Sequence, residues 1–137
     1  MNILVIDGQG GRIGRQLVKA IRERFPQADV TAVGTNSTAT AEMLKAGPTR
    51  AVTGENPVLV ACRTADVILG PIGIVIADAM LGEITPAMAV AVGQARAERI
   101  LIPLNRCENI VVGVAEQPVS ALLSGALEEL ARRMETV

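Results

Sequence analysis

A chain of 137 residues that is half apolar has the length of one domain and enough hydrophobic material to bury a core. Its 13 Lys and Arg against 14 Asp and Glu advertise no electrostatic grip on phosphate backbones, and with no Trp, no Tyr and only Phe25 there is no platform for stacking unpaired bases, so nucleic acid is not an expected partner. The lack of His and of any Cys-x-x-Cys pair argues against a zinc site, since Cys62 and Cys107 lie far apart.

The N-terminal "MNILVID" has no basic start and no small-residue cleavage site, and Asp7 interrupts it early, which points to a cytoplasmic chain. Within it "NILVI" predicts a strand that runs into the glycine turn "DGQGG". Beyond the turn, Ile13, Leu17 and Ile21 recur every fourth residue with Val18 beside them, the pattern of an amphipathic helix, and Phe25-Pro26 closes it. "DVTAV" is the second predicted strand. "GTNSTATAEMLKAGP" supplies hydroxyl caps, a short helix holding Met43 and Leu44, and a Gly47-Pro48 stop.

"RAVT" then predicts a third strand, with Asn56 as a cap and Pro57 at the first position of the next helix. "DVILG" is the fourth. The uncharged stretch from Val67 to Ala77 is broken by Pro71 and falls well short of the ~18 residues a membrane helix needs, so it predicts a buried element and no membrane partner. From Pro71 to Ile84 no period is clear. Thr85-Pro86 opens a helix to about Ala97, and "RILIPL" is the fifth strand. Only "NRCE" separates it from "NIVVGV", too short for a parallel crossover, which predicts a hairpin and an antiparallel sixth strand. A last helix runs from Pro118 to about Met134.

Strands alternating with helices predict one α/β domain over residues 1–137: a three-layer, Rossmann-like fold with a mostly parallel sheet of five to six strands and helices on both faces. Such sheets bind ligands outside the carboxyl ends of their strands, where this chain places "DGQGG", "GTNS", "TGEN", "GPIG" and "LNRC". The candidate binding residues are therefore Gly8, Gln9, Gly10, Gly11, Arg12 and Ile13 of the first turn, Gly34, Thr35, Asn36 and Ser37 of the second, and Gly70 of the fourth. Gly8, Gly11 and Gly14 match GxxGxxG, while Gly8 and Gly10 match the first half of GxGxxG, with Ile13 in place of the last glycine. Glycine permits positive φ and close backbone approach, and the free N–H groups at the start of the following helix face an anion. The plain alternative is a tight strand-to-helix connection that happens to use glycine.

"VIDGQGGRIGRQL" resembles the first strand, turn and helix of NAD(P)-binding Rossmann proteins, notably dihydrodipicolinate reductase and the extended short-chain dehydrogenases. The resemblance implies a nucleotide site but not their chemistry: the reductase's second domain has no room here, and the dehydrogenases' catalytic Tyr is absent. Over its full length the chain resembles a small bacterial family of unknown function, in "IDGQGG", "GTNS", "TGEN", "GPIGIVIAD", "GEITPAMA" and "IPLNRC". A further resemblance is to methylglyoxal synthase, whose "GTT" turn binds substrate phosphate as "GTNST", residues 34–38, would here; that family's catalytic His has no counterpart.

NAD-binding strands end in an acidic residue that holds the ribose, whereas the second strand here ends in Gly34, Thr35, Asn36 and Ser37. Neutral donors favour NADP over NAD, or another phosphorylated metabolite, unless "TNST" serves only to cap the next helix. Asp7 either braces the turn through backbone N–H groups or holds Mg²⁺ against the phosphates. Arg12, at the start of the helix, either meets a bound anion or is solvated, and Arg15 is expected in solvent. Glu55, Asp78 and Glu83 are expected as caps and solvated charges, because their spacing fixes no dyad. Cys107 beside Arg106 is a candidate nucleophile, while Cys62, Met80, Met88 and Met134 read as packing or interface residues.

These features predict a small protein binding NAD(P) or another adenine nucleotide, without a complete catalytic apparatus. The alternatives are a lyase or isomerase acting on a phosphorylated metabolite through Asp7 or Cys107, and a nucleotide-responsive regulatory or assembly protein with "GPIGIVIADAML" as its contact surface. A mean hydropathy of +0.39 at 20% charge predicts a homo-oligomer.

Overall fold

The structure, a computed structural model, describes residues 1–104 and 108–135. β1 (Asn2–Asp7), β2 (Asp29–Gly34), β3 (Arg50–Thr53), β4 (Val67–Pro71) and β5 (Glu98–Ile102) alternate with α1 (Arg12–Arg24), α2 (Ser37–Leu44), α3 (Glu55–Cys62) and α4 (Pro86–Gln94), and α5 (Val119–Glu135) closes the chain. The five strands form one sheet of order β3-β2-β1-β4-β5, and every pairing is parallel, with Val5 opposite Ala32 on one side and Leu69 on the other.

β1 is central and buried on both faces, which explains why it is apolar without alternation. Ile3 and Val5 point into a core with Leu17, Val18 and Ile21 of α1, Met43 of α2 and Leu127 and Leu130 of α5. Leu4 and Ile6 point the other way, into a core with Val58 of α3, Ile74, and Met88 and Val92 of α4. The predicted three-layer, Rossmann-like α/β fold is thus the observed one. The chain reverses its direction of travel between β1 and β4, so their carboxyl ends flank the crevice where open sheets of this kind take ligands.

Four local readings change. The antiparallel sixth strand is absent: residues 109–114 carry no strand, because Val111 and Val114 close a turn (N–H to O, 3.3 Å) with Gly113 at φ 86°, a conformation that ends an extended run. α3 begins at Glu55 behind Gly54, whose φ of 114° turns the chain there, so Asn56 lies inside the helix and is not its cap. α4 stops at Gln94, short of Ala97, because the Arg99 guanidinium gathers the carbonyls of Val92, Ala95 and Ala97 at 3.2, 2.9 and 3.1 Å.

The fourth change concerns the contact surface that the regulatory alternative assigned to "GPIGIVIADAML": the stretch is largely core, as its lack of charge predicted. After β4 it makes a 3₁₀ turn (Ile72–Val75) and a chain of further turns, with Ile74, Ala79 and Met80 buried and only Leu81 fully exposed. Among the described residues no helix is long and apolar enough to cross a membrane.

Candidate functional site

β1 delivers Asp7 to the edge of the crevice, and the carboxylate folds back under the glycine turn. It is 5% exposed, accepting the N–H of Gly8 at 2.8 Å on one oxygen and that of Gly14 at 2.7 Å on the other. Burial pushes its pKa above the usual carboxylate value; the two N–H groups pull it down less, and the charge of Glu83 adds to the rise. Asp7 therefore braces the turn. Both its oxygens are engaged by the protein, which leaves it poorly placed to hold Mg²⁺ or act on a substrate.

Each glycine of the turn has a different reason to be there. Gly11 sits at φ 72° with the backbone of Ala39 2.7 Å from where a Cβ would lie, so it fixes both the turn and the approach of α2. Gly14 lies against Asp7 and Met43, letting α1 pack on β1. Gly10 has nothing within 4 Å of an added Cβ and faces open space. Around it is an open cleft of about 380 Å³ lined by Asp7 to Ile13.

Donors line that cleft. Gly11 N–H bonds to Gly8 O at 2.9 Å, but among the described residues nothing accepts from the N–H groups of Gly10, Arg12 or Ile13. The N-cap of α1 is Gly11, which has no side chain to cap it, unlike Asn36 and Thr85 at α2 and α4, and none of the three helices has an acidic residue in its first turn. Asp7 meets the positive end of α1 from beneath through Gly14 N–H, and the N–H groups of Gly10, Arg12 and Ile13 on the open side are left without an acceptor among the described residues. Arg12 is exposed beside it, while Arg15 is not simply solvated, pairing with Glu42 at 2.5 Å.

The second turn meets the first. Thr35 N–H donates to Asp7 O at 3.0 Å, and Asn36 Nδ2 to Gln9 O at 3.1 Å, while Asn36 Oδ1 caps α2 through Ala39 N–H at 2.8 Å. The side-chain donors of Thr35 and Asn36 are already used: Thr35 Oγ1 and Asn36 Nδ2 both donate to Glu83 Oε1, at 2.6 and 2.8 Å. The neutral donors that favoured a 2′-phosphate therefore face a carboxylate. Ser37 is exposed at the start of α2.

Glu83 is the residue that sequence reasoning misplaced. It is not a solvated charge: the connection from β4 to α4 carries it over the crevice, and its Oε1 also accepts Gln9 N–H at 2.9 Å. Burial raises its pKa, but the donors Thr35, Gln9 and Asn36 outweigh that and hold it below the usual value. Gln9, at φ 50°, and Met80 and Leu81, at 58° and 55°, sit in left-handed backbone on the two sides of this contact. Non-glycine residues persist there only where surrounding contacts over-determine them. No spacing signal links Glu83 to Gln9 across 74 residues.

The other candidates fall outside this cluster. Gly70 is buried in β4, with Ile6 O 2.4 Å from an added Cβ, so its need for glycine is met by strand packing. Gly34 likewise makes room for Thr40. Cys62 is buried, and burial raises its thiol pKa. Glu55 accepts from Thr85 Oγ1 at 2.9 Å. Cys107 lies outside the described residues.

No curated protein matches the chain. Solved structures similar to it include two that can be described by their function. One is a dodecameric FMN-dependent Ubix-like decarboxylase from Escherichia coli O157:H7, 12% identical over 96% of this chain and 94% of that one, with a TM-score of 0.49. The other is a nucleoside-diphosphate-sugar epimerase from Pseudomonas aeruginosa, 19% identical over 97% of this chain, with a TM-score of 0.49. This chain spans 47% of the epimerase's length. At that similarity neither bears on the chemistry here. A family model does match, over residues 2–135, and the chain belongs to that family, described as Domain of unknown function (DUF3842).

Proposed function

We propose that this protein binds an adenine nucleotide through its phosphates, with NAD(P) as the leading candidate, on the turn from Gly8 to Gly14. The observation that carries the reading is the set of N–H groups on Gly10, Arg12 and Ile13 at the start of α1, which have no acceptor among the described residues and open on the cleft beside Gly10, while Asp7 takes only Gly8 and Gly14 N–H from beneath. Phosphate oxygens satisfy such donors and offset the helix dipole. Arg12 adds a charge-assisted contact. Asp7 keeps the turn rigid from beneath, so the donors are in place before the ligand arrives.

The proposed role is to bind and orient, and with neither His nor Tyr the chain lacks the usual proton donor for hydride transfer to or from alcohols and aldehydes. Homo-oligomer formation belongs to the same proposal, supported by the apolar composition and by exposed Leu81, Ile110 and Val112. A thermal-shift panel of NAD, NADP, ATP, AMP, FMN and small sugar phosphates tests the ligand class, because a ligand at one hundred times its dissociation constant adds about 2.7 kcal/mol. Shifts with adenine nucleotides support the reading. Shifts with small sugar phosphates alone, or with none of the panel, overturn it.

A further inference from the structure

β2 ends without the carboxylate that holds a ribose in NAD-binding sheets, yet a carboxylate stands at that place. Glu83, brought from beyond β4, accepts Thr35 Oγ1, Asn36 Nδ2 and Gln9 N–H, all on Oε1. Among the described residues no group donates to Oε2. One oxygen is thus saturated and fixes the side chain against the ends of β1 and β2, and the other keeps its accepting capacity. The nearest part of the phosphate cradle, Gly10 N–H, belongs to the residue after Gln9.

We propose that Glu83 is a specificity-determining residue: its Oε2 accepts the 2′,3′-hydroxyls of the ribose next to the bound phosphates, so that the site takes nucleotides with a free ribose diol and rejects those with a 2′-phosphate. The proposal rests on the nucleotide reading of the same turn and replaces its open choice of NAD or NADP with NAD. A ribose is joined directly to the phosphate it follows, so phosphates held by Gly10, Arg12 and Ile13 bring its hydroxyls to the flank of the turn. Hydroxyl groups donate to a carboxylate; a 2′-phosphate offers it only negative charge. Thr35 and Asn36, expected from the sequence to receive that phosphate, instead aim the acid that excludes it.

Calorimetric titrations with NAD, NADP, AMP and adenosine 2′,5′-bisphosphate test this on the unmodified protein and on Glu83→Gln. The unmodified protein should bind NAD at least about tenfold tighter than NADP, and AMP tighter than the bisphosphate by a similar factor. Glu83→Gln should bring each pair to within about threefold, by weakening the first member and strengthening the second. Equal or tighter binding of the 2′-phosphorylated member by the unmodified protein overturns the proposal without touching the phosphate site. So does an unchanged preference in a folded Glu83→Gln. If none of the four binds, the nucleotide reading fails and this one fails with it. Should the variant not fold, the two ratios in the unmodified protein still decide.

Discussion

Asp7 and Gly14 are joined across the whole glycine turn, the carboxylate accepting the Gly14 N–H at 2.7 Å from seven residues away. This bond and its partner to Gly8 satisfy the two turn donors that face Asp7. Asp7→Ala removes the acceptor for both, and with about 1–3 kcal/mol for each buried N–H left without one, the loss of stability in denaturant melts should be about 2–6 kcal/mol. Asp7→Asn keeps one acceptor but turns its amide toward the other N–H, and should lose less. The folded pKa of Asp7 lies above its unfolded value near 3.8. Its contribution is therefore complete below that value and shrinks as pH rises through the raised folded pKa. The stability gap between the native protein and Asp7→Asn should narrow over that interval; a gap that widens would contradict the direction of the shift.

Glu83 titrates with the opposite sign. Its folded pKa is below the ordinary 4.5, because its donors outweigh burial, so its contribution is present above 4.5 and is lost as pH falls through the lowered value. Melts from about pH 6 to about pH 3 should show the native protein losing stability faster than Glu83→Gln, which has no charge to lose at that position. Parallel curves would mean that Glu83 does not hold the two turns together in solution.

The layers and the glycine turn were legible because they are local: a strand's β-branched run, a 3.6 period over Ile13, Leu17 and Ile21, and capping residues at Asn36 and Thr85 each act within a few positions. What escaped is long-range. Nothing near Glu83 in sequence distinguishes a carboxylate that returns to Gln9 from one left in solvent, and the apolar run around Ile74 reads as surface or core until α3 and α4 are placed on it. The absent sixth strand has another cause. A β-branched run needs a sheet partner as well as propensity, and Val111 to Val114 spend theirs in a turn instead.

Gly10 and Gly11 should separate the fold from the site. Gly10→Glu places a side chain in open space and adds negative charge over the unpaired N–H groups, so the melt should stay close to native while nucleotide binding is lost. Gly11→Ala forces a Cβ at φ 72° against the Ala39 backbone and should cost at least about 1–3 kcal/mol. A Gly10→Glu protein that binds every ligand of the native one would place the site elsewhere.

Self-association should be visible in solution. Ile110 and Val112 are 89% and 93% exposed on one short segment, Leu81 is 100% exposed, and the chain carries only 20% charged residues. Sedimentation in the tens of micromolar should give a mass above that of one chain. Substituting Ile110 and Val112 with Ser should move it toward the single chain if this segment is the contact. A monomer at every concentration would remove the oligomer from the proposal.

Arg12 offers the sharpest separation of folding from binding. It is the first residue of α1, exposed, and the helix it opens has neither a side-chain cap nor an acidic residue in its first turn. Asp7 offsets part of the helix dipole through Gly14 N–H, and a cation at Arg12 opposes the rest at a cost of at most roughly 1 kcal/mol, with no hydrogen bond or ion pair among the described residues to account for its placement. Arg15, one turn on, differs: Glu42 partners it, and its removal costs only an exposed ion pair. A bound phosphate reverses the sign for Arg12, adding a charge-assisted hydrogen bond to the N–H groups already waiting. Arg12→Ala should therefore leave the ligand-free protein as stable as before or slightly more so, while weakening nucleotide affinity by about 1 to 3 kcal/mol. Arg15→Ala should leave affinity nearly unchanged. Paired melts and titrations distinguish the two, and unchanged affinity with a less stable free protein would assign Arg12 to the fold and leave the phosphate to the backbone alone.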